Sequence, residues 1–321
     1  MNDILKKIGE IGIIPVIKIE EIENAVPLAK ALIDGGIPVA EVTYRAAGAD
    51  KAIKAISEAF PEMLVGAGTV LNKNQVKSAV DAGAKFIVSP GFNPKTVAYC
   101  DEIGIPITPG CTTASEIEIA LEAGLEVVKF FPAEQSGGIA KIKALSGPFS
   151  GIKFIPTGGI DLNNLNDYLS FNKVLACGGS FMVKEDYIKN KEWDKITELS
   201  ALAMKTMLGY ELAHIGINCE NAIEAEKSVK TLCKLFGFSS RVTGSGSFVE
   251  DSIELLNTPY LGKNGHIAIR TNDITRAVVY SENIGFKINT ENLKYDAKGK
   301  LTAAYFVEEI AGFAFHLLQK K

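Results

Sequence analysis

Between residues 11 and 180 the chain repeats one pattern eight times: a short β-branched apolar run, a turn, then a stretch of helical period. The runs fall at 11–19, 40–45, 64–70, 86–91, 106–111, 127–133, 153–159 and 174–180, and stretches such as 22–34, 74–82 and 114–123 separate them. Strands that are apolar along their whole length have both faces covered, as in a parallel sheet flanked by helices. Eight such units in about 200 residues predict an α/β chain whose first part is a (β/α)8 TIM barrel, with an open doubly wound sheet as the competing architecture. Arg45, Thr69, Ser89, Thr108, Lys129, Thr157 and Ser180 each fall late in their run. A barrel gathers its active residues at that end of its strands, which favours closure over the open sheet.

Within the sixth run, Val127-Val128-Lys129-Phe130-Phe131-Pro132-Ala133-Glu134, one lysine interrupts an apolar strand. An ammonium with no carboxylate beside it is costly to desolvate, which favours the neutral, nucleophilic amine. Such an amine can form a Schiff base with a carbonyl substrate. A lysine at a strand end can also simply snorkel its amine to water. The neighbouring runs favour chemistry. Val39-Ala40-Glu41-Val42-Thr43-Tyr44-Arg45 carries one carboxylate and one guanidinium, while Thr157-Gly158-Gly159 and Gly178-Gly179-Ser180 end their strands in glycine pairs. Glycine pairs let the backbone come close to a ligand, and amides ahead of a helix suit phosphate.

Taken in order, Glu41-Val42-Thr43 with Arg45, Val65-Gly66-Ala67-Gly68-Thr69-Val70, Ser89-Pro90-Gly91, Pro109-Gly110, Lys129-Phe130-Phe131-Pro132-Ala133-Glu134, Pro156-Thr157-Gly158-Gly159-Ile160 and Gly178-Gly179-Ser180 resemble the KDPG/KHG aldolases. Those are class I enzymes cleaving 2-keto-3-deoxy-6-phosphogluconate or 4-hydroxy-2-oxoglutarate. The resemblance implies that Lys129 is the Schiff-base lysine and Glu41 the general acid/base. It further implies that Arg45 pairs with the substrate carboxylate and that Thr69 and Thr157 contribute hydroxyls. Phe131 and Pro90 become apolar walls that keep Lys129 poorly solvated, and Gly158, Gly159, Gly179 and Ser180 a phosphate cradle. No cofactor is implied for this reaction, and assembly as a homotrimer is. Ala46-Ala47-Gly48 and Phe181-Met182-Val183-Lys184 depart from the family's usual residues, which bears on the rim of the pocket and on substrate preference. A phosphate-binding isomerase or epimerase, and a non-catalytic sensor of a keto-acid phosphate, are the rival readings.

The alternation stops after a helical stretch at 194–209, and a domain boundary near Tyr210 divides the chain into 1–209 and 210–321. His214-Ile215-Gly216-Ile217, a helical stretch at 222–236 and Gly237-Phe238 are echoed by His266-Ile267-Ala268-Ile269, a stretch at 274–283 and Gly285-Phe286. The two histidines stand 52 residues apart, so a unit too small to fold alone is duplicated. Each copy ends in hairpin-like runs, 247–256 and 301–318, which gives two βαβββ modules. This smaller α+β domain resembles the glyoxalase or vicinal-oxygen-chelate fold. On that resemblance His214 and His266 are first-strand ligands of a divalent metal, and Glu254 and His316 last-strand ligands. Three imidazoles and a carboxylate suit zinc, nickel or iron(II). His316 stands where a carboxylate is usual, and fifty residues separate it from His266 against forty between His214 and Glu254. Many such domains have lost the metal and only pack or dimerise.

A net charge of −4 and a pI near 5.6 exclude a general nucleic-acid footprint, which needs a clustered basic face. Small molecules or proteins remain as partners. The five cysteines are scattered and never form a C-x-x-C pair, which reads as reduced thiols of a cytoplasmic protein. Pro15 interrupts the apolar N-terminal run, which fits a first strand better than a signal peptide, and no segment has the apolar length of a membrane span.

Overall fold

The computed structural model describes residues 1–320. The chain divides into two compact units, Met1–Met207 and a second from Leu208 onward. Among the described residues no helix is long and apolar enough to cross a membrane.

In the first unit the strands are β1 (Ile13–Ile17), β2 (Val39–Thr43), β3 (Leu64–Gly68), β4 (Phe86–Ser89), β5 (Ile107–Pro109), β6 (Val127–Phe130), β7 (Lys153–Pro156) and β8 (Cys177–Gly179). All pair in parallel. One ladder runs β5-β4-β3-β2-β1-β8 and another joins β6 to β7. Single bridges from Gly110 to Lys129 and from Thr157 to Gly178 connect β5 to β6 and β7 to β8. The sheet is therefore a closed (β/α)8 barrel, and every residue of β2, β3, β4 and β6 is buried. Val39, Val42, Val65, Ile87, Val128 and Phe130 supply its core.

Two local features differ from the sequence pattern. The run at 11–19 conceals the end of a helix, Asp3–Ile11, capped by the Asn2 side chain and terminated by left-handed Gly12; its apolar stripe of Leu5, Ile8 and Ile11 is what extends the run backwards. The run at 174–180 yields only three strand residues, because Val174 meets Phe154 at an isolated bridge before regular pairing with β1 begins at Cys177. The loop after β5 is fixed by a capping box in which Thr113 and Glu116 satisfy each other's backbone amides.

The second unit is mostly sheet. Its first module is β9 (Glu211–Asn218), the helix Ala222–Phe236, β10 (Ser240–Val242), β11 (Gly246–Val249) and β12 (Ile253–Leu256). The second is β13 (Gly265–Thr271), the helix Ile274–Asn283, β14 (Lys294–Tyr295), β15 (Leu301–Ile310) and β16 (Phe313–Gln319). They share one eight-stranded sheet, ordered β10-β11-β12-β9-β13-β16-β15-β14, with β9 and β13 antiparallel at the junction. The short edge strands β10 and β14 are ones the sequence pattern did not reveal, since their residues are exposed and carry no apolar alternation. The helix Ala222–Phe236 packs through Ala225 and Val229 against Val249, Leu255 and Cys219. Strand alternation sends Phe248 and Glu254 to the opposite face, where cross-strand register also puts Gly216 and His266.

Gly110 joins β5 to β6, and a Cβ there would overlap the carbonyl of Pro90, backbone that cannot swing aside as a side chain can. Gly110→Ala is expected to cost about 1–3 kcal/mol by overpacking. Urea unfolding checks this: the midpoint falls at unchanged slope, and an unaltered midpoint would mean the Pro90 loop yields freely.

Candidate active site

A cavity of about 290 Å³ opens at the C-terminal ends of the barrel strands. Each strand presents its side chains by alternation, so Glu41 and Thr43 on β2 share a face and Arg45 continues it beyond the strand. The cavity is lined by Glu41, Arg45, Thr69, Pro90, Lys129, Phe131, Thr157, Gly158, Gly159, Gly179 and Ser180, the residues singled out from sequence, brought together here from the ends of six strands, β2, β3, β4, β6, β7 and β8. Val16, Thr43 and Ile160 line it as well and were not singled out. Period-two spacing from Glu41 and Arg45 was a legible signal for Thr43.

Lys129 Nζ donates to Glu41 Oε1 at 3.1 Å and to Oε2 at 3.3 Å, and both side chains are buried. The expectation of an ammonium without a carboxylate is thus corrected: its partner is 88 residues away in sequence and reaches it across the barrel mouth. A charge pair removed from water is costly to form but very costly to break by removing one member. Gly68 makes room for it, since a Cβ there would overlap the Glu41 carboxylate. The Phe131 ring lies with its centroid 5.5 Å from Lys129 Nζ. Cys111, whose amide donates to the Lys129 carbonyl, is held as a thiol; burial pushes it up to about 12.

Around that pair are groups with spare bonding capacity. Arg45 is exposed, touches Thr43 Oγ1 through Nε at 3.3 Å, and forms no ion pair among the described residues. The Thr157 hydroxyl is buried without any hydrogen-bond partner. Thr69 adopts φ 56°, a left-handed conformation that is strained for a β-branched residue and that clusters at functional sites. Gly158 and Gly159, at φ 101° and 78°, form a turn that only glycine adopts at low cost. Gly179 and Ser180 complete the rim.

The family model for KDPG and KHG aldolase matches residues 4–199. The chain belongs to that family. Among its relatives, the 2-dehydro-3-deoxy-phosphogluconate aldolase of Treponema pallidum is 50% identical over 200 residues, covering 62% of this chain and 95% of the relative. The KHG/KDPG aldolase of Escherichia coli K12 is 45% identical over 193 residues, covering 60% and 91%. Among solved structures, the KDPG aldolase of Legionella pneumophila, with pyruvate captured as a covalent carbinolamine, is 43% identical at a TM-score of 0.61, covering 62% of this chain and 97% of that one. The aldolase family match ends before β9, so the second unit lies outside it.

That second unit carries its own cluster. One ligand atom from each of His214, His266 and His316 lies within 4.8 Å of the others. His214 Nε2 is 3.0 Å from His266 Nε2, and Glu254 Oε2 is 3.2 Å from His266 Nε2 and 3.6 Å from His214 Nε2. His266 Nδ1 and both ring nitrogens of His316 are buried without partners. Tyr305 stacks on His316 at 4.3 Å, Phe248 meets His214 edge-on, and Ser245 donates to Glu254 Oε1; none of these three was anticipated from sequence. Burial, then the neighbouring His266, lowers His214 to about 4, and burial with the other two histidines lowers His316 to about 3. Burial is the largest single influence on Glu254 and would raise it, but the hydrogen bond from His266 and the two nearby imidazoles together hold it below the usual range.

All three shifts make the metal-free second unit acid-sensitive. Unfolded histidines take up protons below about pH 6.5, whereas folded His214 and His316 resist down to about 4 and 3, and the contribution of Glu254 is lost in the same direction. Stability is therefore greatest above about pH 6.5 and falls progressively as pH drops. Hydrogen exchange of the sheet under mild urea, corrected for intrinsic rates, is expected to lose protection between pH 7 and 5; equal protection at both would contradict neutral buried imidazoles.

Proposed function

We propose that the barrel cleaves 2-keto-3-deoxy-6-phosphogluconate to pyruvate and glyceraldehyde 3-phosphate by Schiff-base chemistry, and that it also accepts the smaller 4-hydroxy-2-oxoglutarate. The observation that carries this is the 3.1 Å contact between Lys129 Nζ and Glu41 inside an otherwise apolar strand setting. Glu41 takes a proton from the ammonium, and the freed amine adds to the C2 carbonyl. Glu41 then returns the proton to the carbinolamine hydroxyl, so water leaves and an iminium forms. Removal of the C4 hydroxyl proton by the same carboxylate lets the C3–C4 bond break, its electrons moving to the iminium nitrogen. The aldehyde departs, C3 of the enamine is reprotonated, and hydrolysis releases pyruvate and regenerates the lysine. Arg45, without an acidic partner, suits the substrate carboxylate as a two-pronged donor. Thr157 has a hydroxyl waiting for the same group. The glycine turn suits the phosphate end, since its amides sit at the usual barrel phosphate position after strands seven and eight. An isomerase or a sensor has no need of the Lys129–Glu41 pair, which is why those readings lose ground.

Borohydride reduction with pyruvate tests the chemistry. One pyruvyl adduct by intact mass is expected on the unmodified chain and none on Lys129→Ala, whereas Glu41→Gln should slow adduct formation by about 10²–10⁴-fold as a proton relay is removed. An unmodified chain with no adduct would sink the aldolase reading.

For the second unit we infer a divalent-metal site formed by His214, Glu254, His266 and His316. Partnerless imidazole nitrogens in a buried cluster support it, because buried polar atoms otherwise find hydrogen bonds. So does their spacing: nitrogens bound tetrahedrally at ~2.0–2.1 Å would stand roughly 3.3 Å apart. A zinc-class ion held there would act as a Lewis acid toward an oxygen ligand. Tyr305 and Phe248 brace the rings of His316 and His214 in either case. Metal analysis after equilibration with zinc should give one ion per chain, and His266→Ala should lose it while retaining pyruvate trapping at Lys129. Zinc retained by a double His214→Ala/His266→Ala variant would place the ion elsewhere.

A further inference from the structure

The glycine turn that suits the phosphate end is itself held from behind. Three successive carbonyls are engaged: that of Thr157 by the Ala133 amide at 2.8 Å, that of Gly158 by the Glu134 amide at 3.1 Å, and that of Gly159 by Asn164 Nδ2 at 2.9 Å. In a trans peptide the C=O and the following N–H point in opposite directions. Fixing the Gly158 and Gly159 carbonyls therefore fixes where the Gly159 and Ile160 amides aim, and both residues line the cavity.

Glu134 is the centre of this bracket. Its side chain lies directly under the turn, so that a Cβ on Gly159 would come within 2.6 Å of Glu134 Cγ. Its carboxylate accepts a hydrogen bond from the phenol of Tyr168, a fully buried residue of the helix Leu165–Leu169. Burial, then that bond to Glu134, raises the phenol, which keeps it protonated as the donor. The carboxylate also borders Gly138, at the start of the helix Gly138–Ser146, where the helix dipole favours a negative charge. Without the phenol, an exposed carboxylate beside an anion-binding turn would be free to swing toward the substrate phosphate and repel it.

We propose that Tyr168 and Glu134 are positioning residues for the phosphate end of the substrate: without touching it, they set the turn whose amides distinguish phosphorylated from unphosphorylated 2-oxo acids. This rests on the aldolase reading of the barrel. Neither residue is among those lining the cavity with Lys129 and Glu41, so the pair's loss acts on the turn that receives the phosphate and leaves imine formation alone.

The test compares Tyr168→Phe, Glu134→Ala and Glu134→Gln in the full chain. Two readouts separate the ends of the site: steady-state cleavage of 2-keto-3-deoxy-6-phosphogluconate, and the pyruvate concentration giving half-maximal borohydride trapping. Loss of a charge-assisted hydrogen bond should raise KM for the phosphorylated substrate by about tenfold in Tyr168→Phe and Glu134→Ala, with kcat within about twofold. Pyruvate trapping should be unchanged in all three. Glu134→Gln keeps an acceptor for the phenol and removes the charge, so it should restore KM to near the unmodified value. Equal losses in KM and in pyruvate trapping would mean a general structural role and overturn the proposal, as would an unchanged KM in both Tyr168→Phe and Glu134→Ala. If the unmodified chain traps pyruvate but Tyr168→Phe and Glu134→Ala unfold, Glu134→Gln alone decides: a KM near the unmodified value supports the proposal, and one raised about tenfold overturns it. An unmodified chain that neither traps pyruvate nor cleaves the substrate would sink the aldolase reading, and this role with it.

Discussion

The ion pair between Lys129 and Glu41 is the contact on which the barrel's chemistry depends. Its members come from β6 and β2, strands on different sides of the closed sheet, so the pair exists only if all eight strands close. Desolvating two charges works against folding, and their mutual attraction offsets only part of it. The remainder is carried by the apolar burial of the strands that surround them. In return the resting site holds a proton donor and its acceptor in contact and out of water. A base that must take a proton from the nucleophile and give it back several times per turnover is best kept within hydrogen-bond reach throughout.

The same economy of placement explains the unsatisfied groups around the pair. A buried hydroxyl with no partner, as at Thr157, and a β-branched residue in a left-handed conformation, as at Thr69, each lower stability. They persist because the strand pairing on either side over-determines them, and both face the cavity. The second unit repeats the principle with different atoms: imidazole nitrogens without partners are concentrated on the sheet face that its helices leave uncovered, while the opposite face supplies an ordinary core of Val249, Leu255, Ala225 and Val229.

Much of this was legible from the sequence because strand burial leaves a one-dimensional trace. Eight apolar runs, seven of them with a polar residue singled out near the end, give the barrel and the rim of its mouth. The duplication of His214 and His266 likewise gives two modules. What the sequence could not carry were relations between distant runs. Within its own run Lys129 looked unpaired, and only the family resemblance linked it to Glu41, because the two come close only after closure. Tyr168 was not singled out, although its phenol reaches Glu134. The helix Asp3–Ile11 was hidden because its apolar stripe runs straight into the first strand, and β10 and β14 because edge strands with exposed residues have no burial period to detect.

Glycines were misleading in an instructive way. From sequence they suggested turns and phosphate contacts, and at Gly158 and Gly159 the left-handed backbone agrees. Three others have another purpose. Gly68, Gly178 and Gly216 have no left-handed conformation to accommodate, yet a Cβ at each would collide with the Glu41 carboxylate, the Thr157 hydroxyl and the His266 ring respectively. In a strand, side chains at paired positions on one face stand side by side, so a functional group can lean across the sheet only where its neighbour has none. The direction of the acid, the hydroxyl and the imidazole is thus set by a side chain that is missing from the adjoining strand. Both units use this device, although one is a closed parallel barrel and the other a mixed open sheet. The constraint is one of close packing in β-structure, independent of the chemistry each site performs.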